Sequence, residues 1–160
     1  MYMHHADEKF MQVAIDLARV GMNKGTGGPF GCVVVKDNRI IAAGTNAVTS
    51  TNDPTAHAEV VAIREACRVL KTHQLSGCDL YTSCEPCPMC LGAIYWARPD
   101  HVYYGSTRHD AANAGFDDHF IYEQLQIPTQ ERKIPMMSLG RQASLLVFEE
   151  WKAKEDKRLY

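Results

Sequence analysis

His57 and Glu59 stand two residues apart, and Cys87 and Cys90 follow some thirty residues later in the run Pro86-Cys87-Pro88-Met89-Cys90. An imidazole and two thiolates are ligands that tetrahedral zinc accepts, and three protein ligands leave one position open, as in a catalytic site and not in a structural one. Two thiolates also offset the charge of the ion, so the centre buries no net charge. Zinc lowers the pKa of bound water from about 15.7 to about 7. At roughly 1.36 kcal/mol per unit, hydroxide becomes easier to form at neutral pH by on the order of 12 kcal/mol. A carboxylate at Glu59 is the right kind of group to carry the protons, an effect of about 10²–10⁴ in rate, or roughly 3–5 kcal/mol. Metal activation is the larger contribution, and Glu59 makes it productive.

Each residue also has a plainer reading. Cys87 and Cys90 alone fit a redox pair, His57 fits a helix cap, and Glu59 fits a surface carboxylate. Their joint occurrence, with Pro86 and helix starts beside them, favours the hydrolytic zinc centre. Cys84 extends the run to Cys-x-x-Cys-x-x-Cys, but a fourth protein ligand would close the site, so it is assigned a structural or spectator role. Cys32, Cys67 and Cys78 sit in apolar stretches and read as small buried hydrophobes.

The elements that must position these groups follow from the apolar pattern. Phe10, Ala14, Leu17, Ala18 and Gly21 recur at helical spacing from Asp7 to about Asn23, and the Gly25–Pro29 stretch ends that helix. Cys32–Val35 and Ile40–Ala43, joined by Asp37-Asn38, form a hairpin. Ala56, Val60, Ile63, Cys67 and Leu70 mark a helix with His57 and Glu59 in its first turns. Cys78–Thr82 is a strand, Met89–Ala97 a helix begun by Pro88, and His101–Tyr104 a strand. An irregular region is expected over Ala111–Asp118, a short helix near Phe120–Leu125, a strand over Ile134–Leu139, and an amphipathic helix over about 143–157. This alternation predicts an α/β fold, helices packed on a mixed sheet.

A chain of 160 residues with 46% apolar and 22% charged residues is one globular domain with room for a core. Met1–Phe10 has neither an apolar signal core nor a cleavage site, no apolar run reaches membrane-spanning length, and three cysteines cluster as in metal sites of reducing compartments. The expectation is a cytoplasmic protein without a membrane partner. His4 and His5 read as exposed. A net charge of −2 lacks the basic excess of a phosphate-gripping surface, which weighs against a nucleic-acid partner.

The H-x-E…P-C-x-x-C arrangement matches the known signature of zinc deaminases. A closer resemblance covers nearly the whole chain. Gly27–Gly31, Thr45-Asn46, Asn52–Glu59, Thr82–Ile94, Ala114–Asp118 and the charged C-terminus ending in Tyr160 resemble the small bacterial guanine deaminases. That resemblance implies a three-layer α/β/α cytidine deaminase-like fold with a mixed central sheet and helices on both faces. It implies one catalytic zinc ion per subunit, bound by His57, Cys87 and Cys90. The implied reaction is hydrolysis of guanine to xanthine and ammonia, in purine catabolism or salvage, by activated water adding at C2. Glu59 would move the proton to N3 and assist the departing amine.

Asn46, Phe30, Asp118 and Tyr160 would contact substrate, and the main chain around Ala58 and Pro86 would position water and intermediate. The resemblance further implies a homodimer in which the C-terminal helix, about residues 143–160, is exchanged so that Tyr160 closes the partner's pocket. Leu145, Phe148 and Trp151 would be its docking face. Plain alternatives stand beside these: a turn-capping Asn46, a core Phe30, a helix-capping Asp118 and a frayed terminus. A guanosine deaminase, a tRNA adenosine deaminase and a non-catalytic zinc module are the competing functions. An intact Glu59 argues against the last.

Overall fold

The computed structural model describes residues 6–160, so His4 and His5 lie outside the described residues. The chain divides into two compact units, one ending at Asp118 and the other covering His119–Tyr160, and each is described by itself.

The first unit runs α1 (Glu8–Asn23), β1 (Gly31–Lys36), β2 (Arg39–Thr45), α2 (Val48–Thr51), α3 (Ala58–Leu70), β3 (Cys78–Cys84), α4 (Pro88–Ala97), β4 (His101–Ser106) and α5 (Arg108–Asn113). Asp7 caps α1 by accepting the Lys9 N–H. Asp37 and Asn38 both take positive φ, 49° and 59°, the backbone that a two-residue hairpin turn requires. The strand order is β2-β1-β3-β4. β1 is antiparallel to both β2 and β3, whereas β3 and β4 are parallel and joined through α4.

Strand alternation sorts β1 between two apolar layers. Cys32 and Val34 pack with Ala58, Ala62, Ile63 and Ala66 of α3 and with Ile94 and Ala97 of α4. Val33 and Val35 pack with Phe10 of α1 and Tyr81 of β3, with Met11 and Leu17 at the margin. The expected α/β/α layering is therefore present: α1 covers one face, and α3 and α4 the other. This is why β1 reads as an unbroken run, Cys32-Val33-Val34-Val35, buried on both sides. At Gly44 the α3 helix comes so close that an added Cβ would lie 2.3 Å from the Ala58 carbonyl oxygen. That approach seats the first turn of α3 on the sheet.

The second unit holds α6 (His119–Gln126), a single 3₁₀ turn (Thr129–Glu131) and α7 (Arg141–Ala153). Three expectations are corrected. Residues 134–139 form no strand. Pro135 cannot donate to a ladder, and Ile134, Met137 and Leu139 are exposed instead of packed. The stretch expected to be irregular begins inside a helix, α5, which a Thr107/Asp110 capping box starts. The last helix stops at Ala153, short of 157. The short α2, Val48–Thr51, escaped the sequence pattern because four residues are too few to show a period.

Candidate metal and proton-transfer site

Two helices begin at the site. His57 is the N-cap residue of α3 and Cys87 that of α4, both with extended backbone, and neither side chain caps its own helix. Both side chains are thus free to point across the gap between the helix starts. Pro88 at the opening of α4 fixes that start and sacrifices no helical donor. Cys90 follows on the same first turn. The three are brought together as the sequence predicts: His57 Nδ1 lies 3.5 Å from Cys87 Sγ and 3.5 Å from Cys90 Sγ. Among the described residues this is the one cluster of three such ligands.

A tetrahedral zinc with bonds of about 2.3 Å to sulfur and about 2.0 Å to nitrogen spaces those atoms about 3.5 Å apart. The donor set therefore fits zinc in spacing as well as in kind. Cys84 stands apart from the trio. Its sulfur donates to the Thr107 carbonyl oxygen at 3.6 Å. Cys32 and Cys78 are buried, and Cys67 is only half-buried.

Proton placement in the cluster follows its contacts. Hydrogen bonds from Cys90 and then from His57 pull the Cys87 thiol down to about 4, against the opposing effect of burial. Cys90 is pushed the other way because it holds the proton shared with Cys87, is buried, and faces Glu59. His57 is raised by its bond to Cys87. The helix starts reinforce the thiolate, since N-terminal N–H groups favour negative charge. Metal binding releases the protons that remain on such ligands.

Glu59 sits on the first turn of α3, 5% exposed. One carboxylate oxygen, Oε1, accepts the Thr82 hydroxyl at 3.1 Å. The other, Oε2, accepts the Cys90 thiol at 3.4 Å. Burial raises the Glu59 carboxyl above the usual carboxylate range, and its hydrogen bonds lower it in part. A buried carboxylate beside residues that would hold a metal is suited to taking up and returning protons.

The remaining expected residues divide. Asn46 is buried, and its Oδ1 accepts the N–H groups of Gly28 and Val48, both at 3.2 Å. The turn-holding role is therefore present, and it commits the acceptor while leaving the amide Nδ2 donor. Gly27 makes room for this amide, because a Cβ there would lie 2.1 Å from Oδ1. Phe30 is half-buried and meets Phe116 edge to face at 5.0 Å between ring centres. Asp118 is partly buried, and its carboxyl is raised first by burial and then by the charge of Cys87. Ala58 is fully buried at the start of α3, where its N–H has no intrahelical acceptor. Pro86 is buried beside Cys87 and, lacking an N–H, offers only its carbonyl. Tyr160 is exposed and belongs to the second unit.

Two participants were missed by sequence reasoning. Thr82 looked like any strand residue, and only its period-2 position in β3 hints at an inward hydroxyl. Phe116 lies in the irregular Ala114–Asp118 stretch, where no spacing marks it as the partner of Phe30.

The model of the cytidine and deoxycytidylate deaminase zinc-binding region matches residues 4–106. A guanine deaminase of Bacillus subtilis (strain 168) is 56% identical over 158 residues, covering 99% of this chain and all of that protein. The X-ray structure of guanine deaminase from Bacillus subtilis superposes with a TM-score of 0.94 at 55% identity, covering 98% of this chain and 99% of that one. A tRNA-specific adenosine deaminase of Aquifex aeolicus is 43% identical over 127 residues, 79% of this chain and 81% of that protein.

Proposed function

The chain belongs to the cytidine and deoxycytidylate deaminase zinc-binding family, and from that premise we propose that it is a guanine deaminase, hydrolysing guanine to xanthine and ammonia. The observation that carries this reading is the extent of the likeness. The guanine deaminase similarity runs through 99% of the chain, second unit included, whereas the similarity to the Aquifex tRNA deaminase covers 79%. The zinc chemistry is common to both, so substrate choice rests on what lies outside the metal ligands.

His57 Nδ1, Cys87 Sγ and Cys90 Sγ hold one zinc ion per subunit. When bound, zinc activates water and polarises what enters its open position. Glu59 takes the proton of the attacking water and delivers it to ring nitrogen N3, then assists departure of the amine from C2. Burial of Glu59 suits this cycle, because a raised carboxyl can return a proton as well as receive one. With its acceptor committed to Gly28 and Val48, Asn46 offers Nδ2 to an acceptor on the purine, its carbonyl or a ring nitrogen. Phe30, braced by Phe116, supplies an apolar wall for the ring. Asp118 pairs with the amine or a protonated ring edge. The N–H groups at the start of α3, beside Ala58, and the carbonyl of Pro86 help orient water and intermediate.

The active form is a homodimer in which the C-terminal segment is exchanged and Tyr160 helps close the partner's site. Leu145, Phe148 and Trp151 recur on α7 at three-residue spacing and remain accessible, which supports such a face. The enzyme acts in the cytoplasm on purine catabolism or salvage. No helix among the described residues is long and apolar enough to cross a membrane, and the net charge of −2 gives no general attraction to nucleic acid.

The direct test is ammonia release from guanine, guanosine, cytosine, cytidine and adenine. Release from guanine alone is expected. Release from guanosine alone would replace this reading with the nucleoside enzyme.

A further inference from the structure

We propose that Thr82 is the positioning residue for Glu59: its hydroxyl holds Oε1 so that Oε2 is the oxygen presented to the reacting atoms. The inference rests on Glu59 being the proton carrier.

Thr82 is 1% exposed and lies on β3, hydrogen-bonded into the sheet on both sides. It stands opposite Cys32 of β1 and Tyr104 of β4. A residue clamped between two neighbouring strands has little freedom of backbone, and a β-branched side chain has little freedom at χ1. Its hydroxyl therefore sits at a fixed point, 3.1 Å from Glu59 Oε1.

The two contacts of the carboxylate are not equivalent. Oε2 lies 3.4 Å from Cys90 Sγ, on the side of the candidate metal trio. Oε1 is turned to β3 and held by the Thr82 hydroxyl. The hold on Oε1 thus leaves Oε2 as the oxygen that faces the trio. Without that hold, a buried Glu59 could rotate about its terminal torsion, and a misplacement near 1 Å at the reacting group costs on the order of 10²-fold in rate.

The experiment uses the zinc-loaded enzyme with guanine, comparing Thr82→Val, Thr82→Ser and Glu59→Gln. Zinc content is measured by atomic absorption, and kcat is separated from KM. Val keeps the shape of Thr and removes the hydroxyl. Loss of a hydrogen bond to a charged group predicts a kcat lower by about 10- to 100-fold. KM and zinc content stay near those of the parent. Thr82→Ser restores the hydroxyl and recovers most of the kcat. Thr82→Ala serves as the second hydroxyl-free variant should the Val protein not fold. Parental kcat in Thr82→Val alongside an inactive Glu59→Gln overturns the positioning role and leaves Glu59's role intact. So does a Thr82→Ser enzyme as impaired as Thr82→Val, or a loss that tracks zinc content. A fully active Glu59→Gln instead removes the proton-carrier reading on which the inference depends.

Discussion

His57 and Cys87 are N-cap residues of two different helices, and their side chains meet across the gap with Nδ1 3.5 Å from Sγ. The relationship explains how residues thirty positions apart come together as one candidate ligand set. Each sits where a helix begins, each leaves its own helix uncapped, and each turns its donor atom toward the other helix start. Cys90, on the first turn behind Cys87, completes the triangle.

Removing one corner of that triangle should empty it. Cys87→Ala leaves an imidazole and a single thiolate, too few for tight zinc binding. Atomic absorption on the purified variant is expected to find little zinc and the activity assay no turnover. A full complement of zinc would exclude Cys87 from the ligands.

Glu59→Gln tests the proton carrier separately from the metal. The amide keeps the size of the side chain and can still accept the Thr82 hydroxyl. Zinc content should remain that of the parent while kcat drops by about 10²–10⁴-fold. Near-parental kcat would refute the assignment.

Asn46→Asp separates the two jobs of the Asn46 amide. A carboxylate oxygen can still accept from Gly28 and Val48, so the loop stays in place. The donor at Nδ2 is replaced by an acceptor that repels the purine's own acceptor. KM for guanine should rise by about 10- to 100-fold, the usual effect of an unpaired buried polar group, with zinc content unchanged. Unchanged KM would confine Asn46 to holding the turn.

Gly44→Ala probes the seat of α3. An added Cβ would meet the Ala58 carbonyl oxygen at 2.3 Å and the Ala62 nitrogen at 2.7 Å, both backbone atoms that cannot swing away. Overpacking of this kind costs about 1–3 kcal/mol. Because the displaced turn carries Glu59 and follows His57, thermal melting should show a lower midpoint and chelator challenge a faster loss of zinc. A melting curve identical to the parent's would contradict the close approach.

Deletion of Leu159 and Tyr160 tests the closing segment. Turnover should fall while zinc content and oligomeric state, followed by sedimentation, stay the same. Full activity in the truncated enzyme would remove Tyr160 from the substrate site.

The sequence by itself determined which residues form the candidate metal trio and most of the first unit. Metal ligation needs particular atom types, and helix starts announce themselves locally: Asp53-Pro54-Thr55 ahead of His57, and Pro88 after Cys87. The same local logic yielded the β1–β2 hairpin, whereas the burial of β1 on both faces came from the packing of α1 and α3. It failed at residues 134–139, where a strand-like pattern lacks what a strand needs, a neighbour to share its hydrogen bonds. It also passed over the Thr107/Asp110 capping box, which was legible and marks α5.

What only the tertiary structure decided is how atoms far apart in sequence share their hydrogen bonds. Thr82 reaches Glu59 across 23 positions, and Asn46 reaches back 18 to Gly28. Neither pairing has a periodic signature, because side-chain hydrogen bonds depend on which faces of separate elements are brought together. Packing of α3 on the sheet makes that choice, with Gly44 allowing the approach. Residue type supplies the chemical capacity of a site; the packing of α3 against the sheet determines which oxygen of Glu59 faces the candidate trio and which end of the Asn46 amide is committed to the loop.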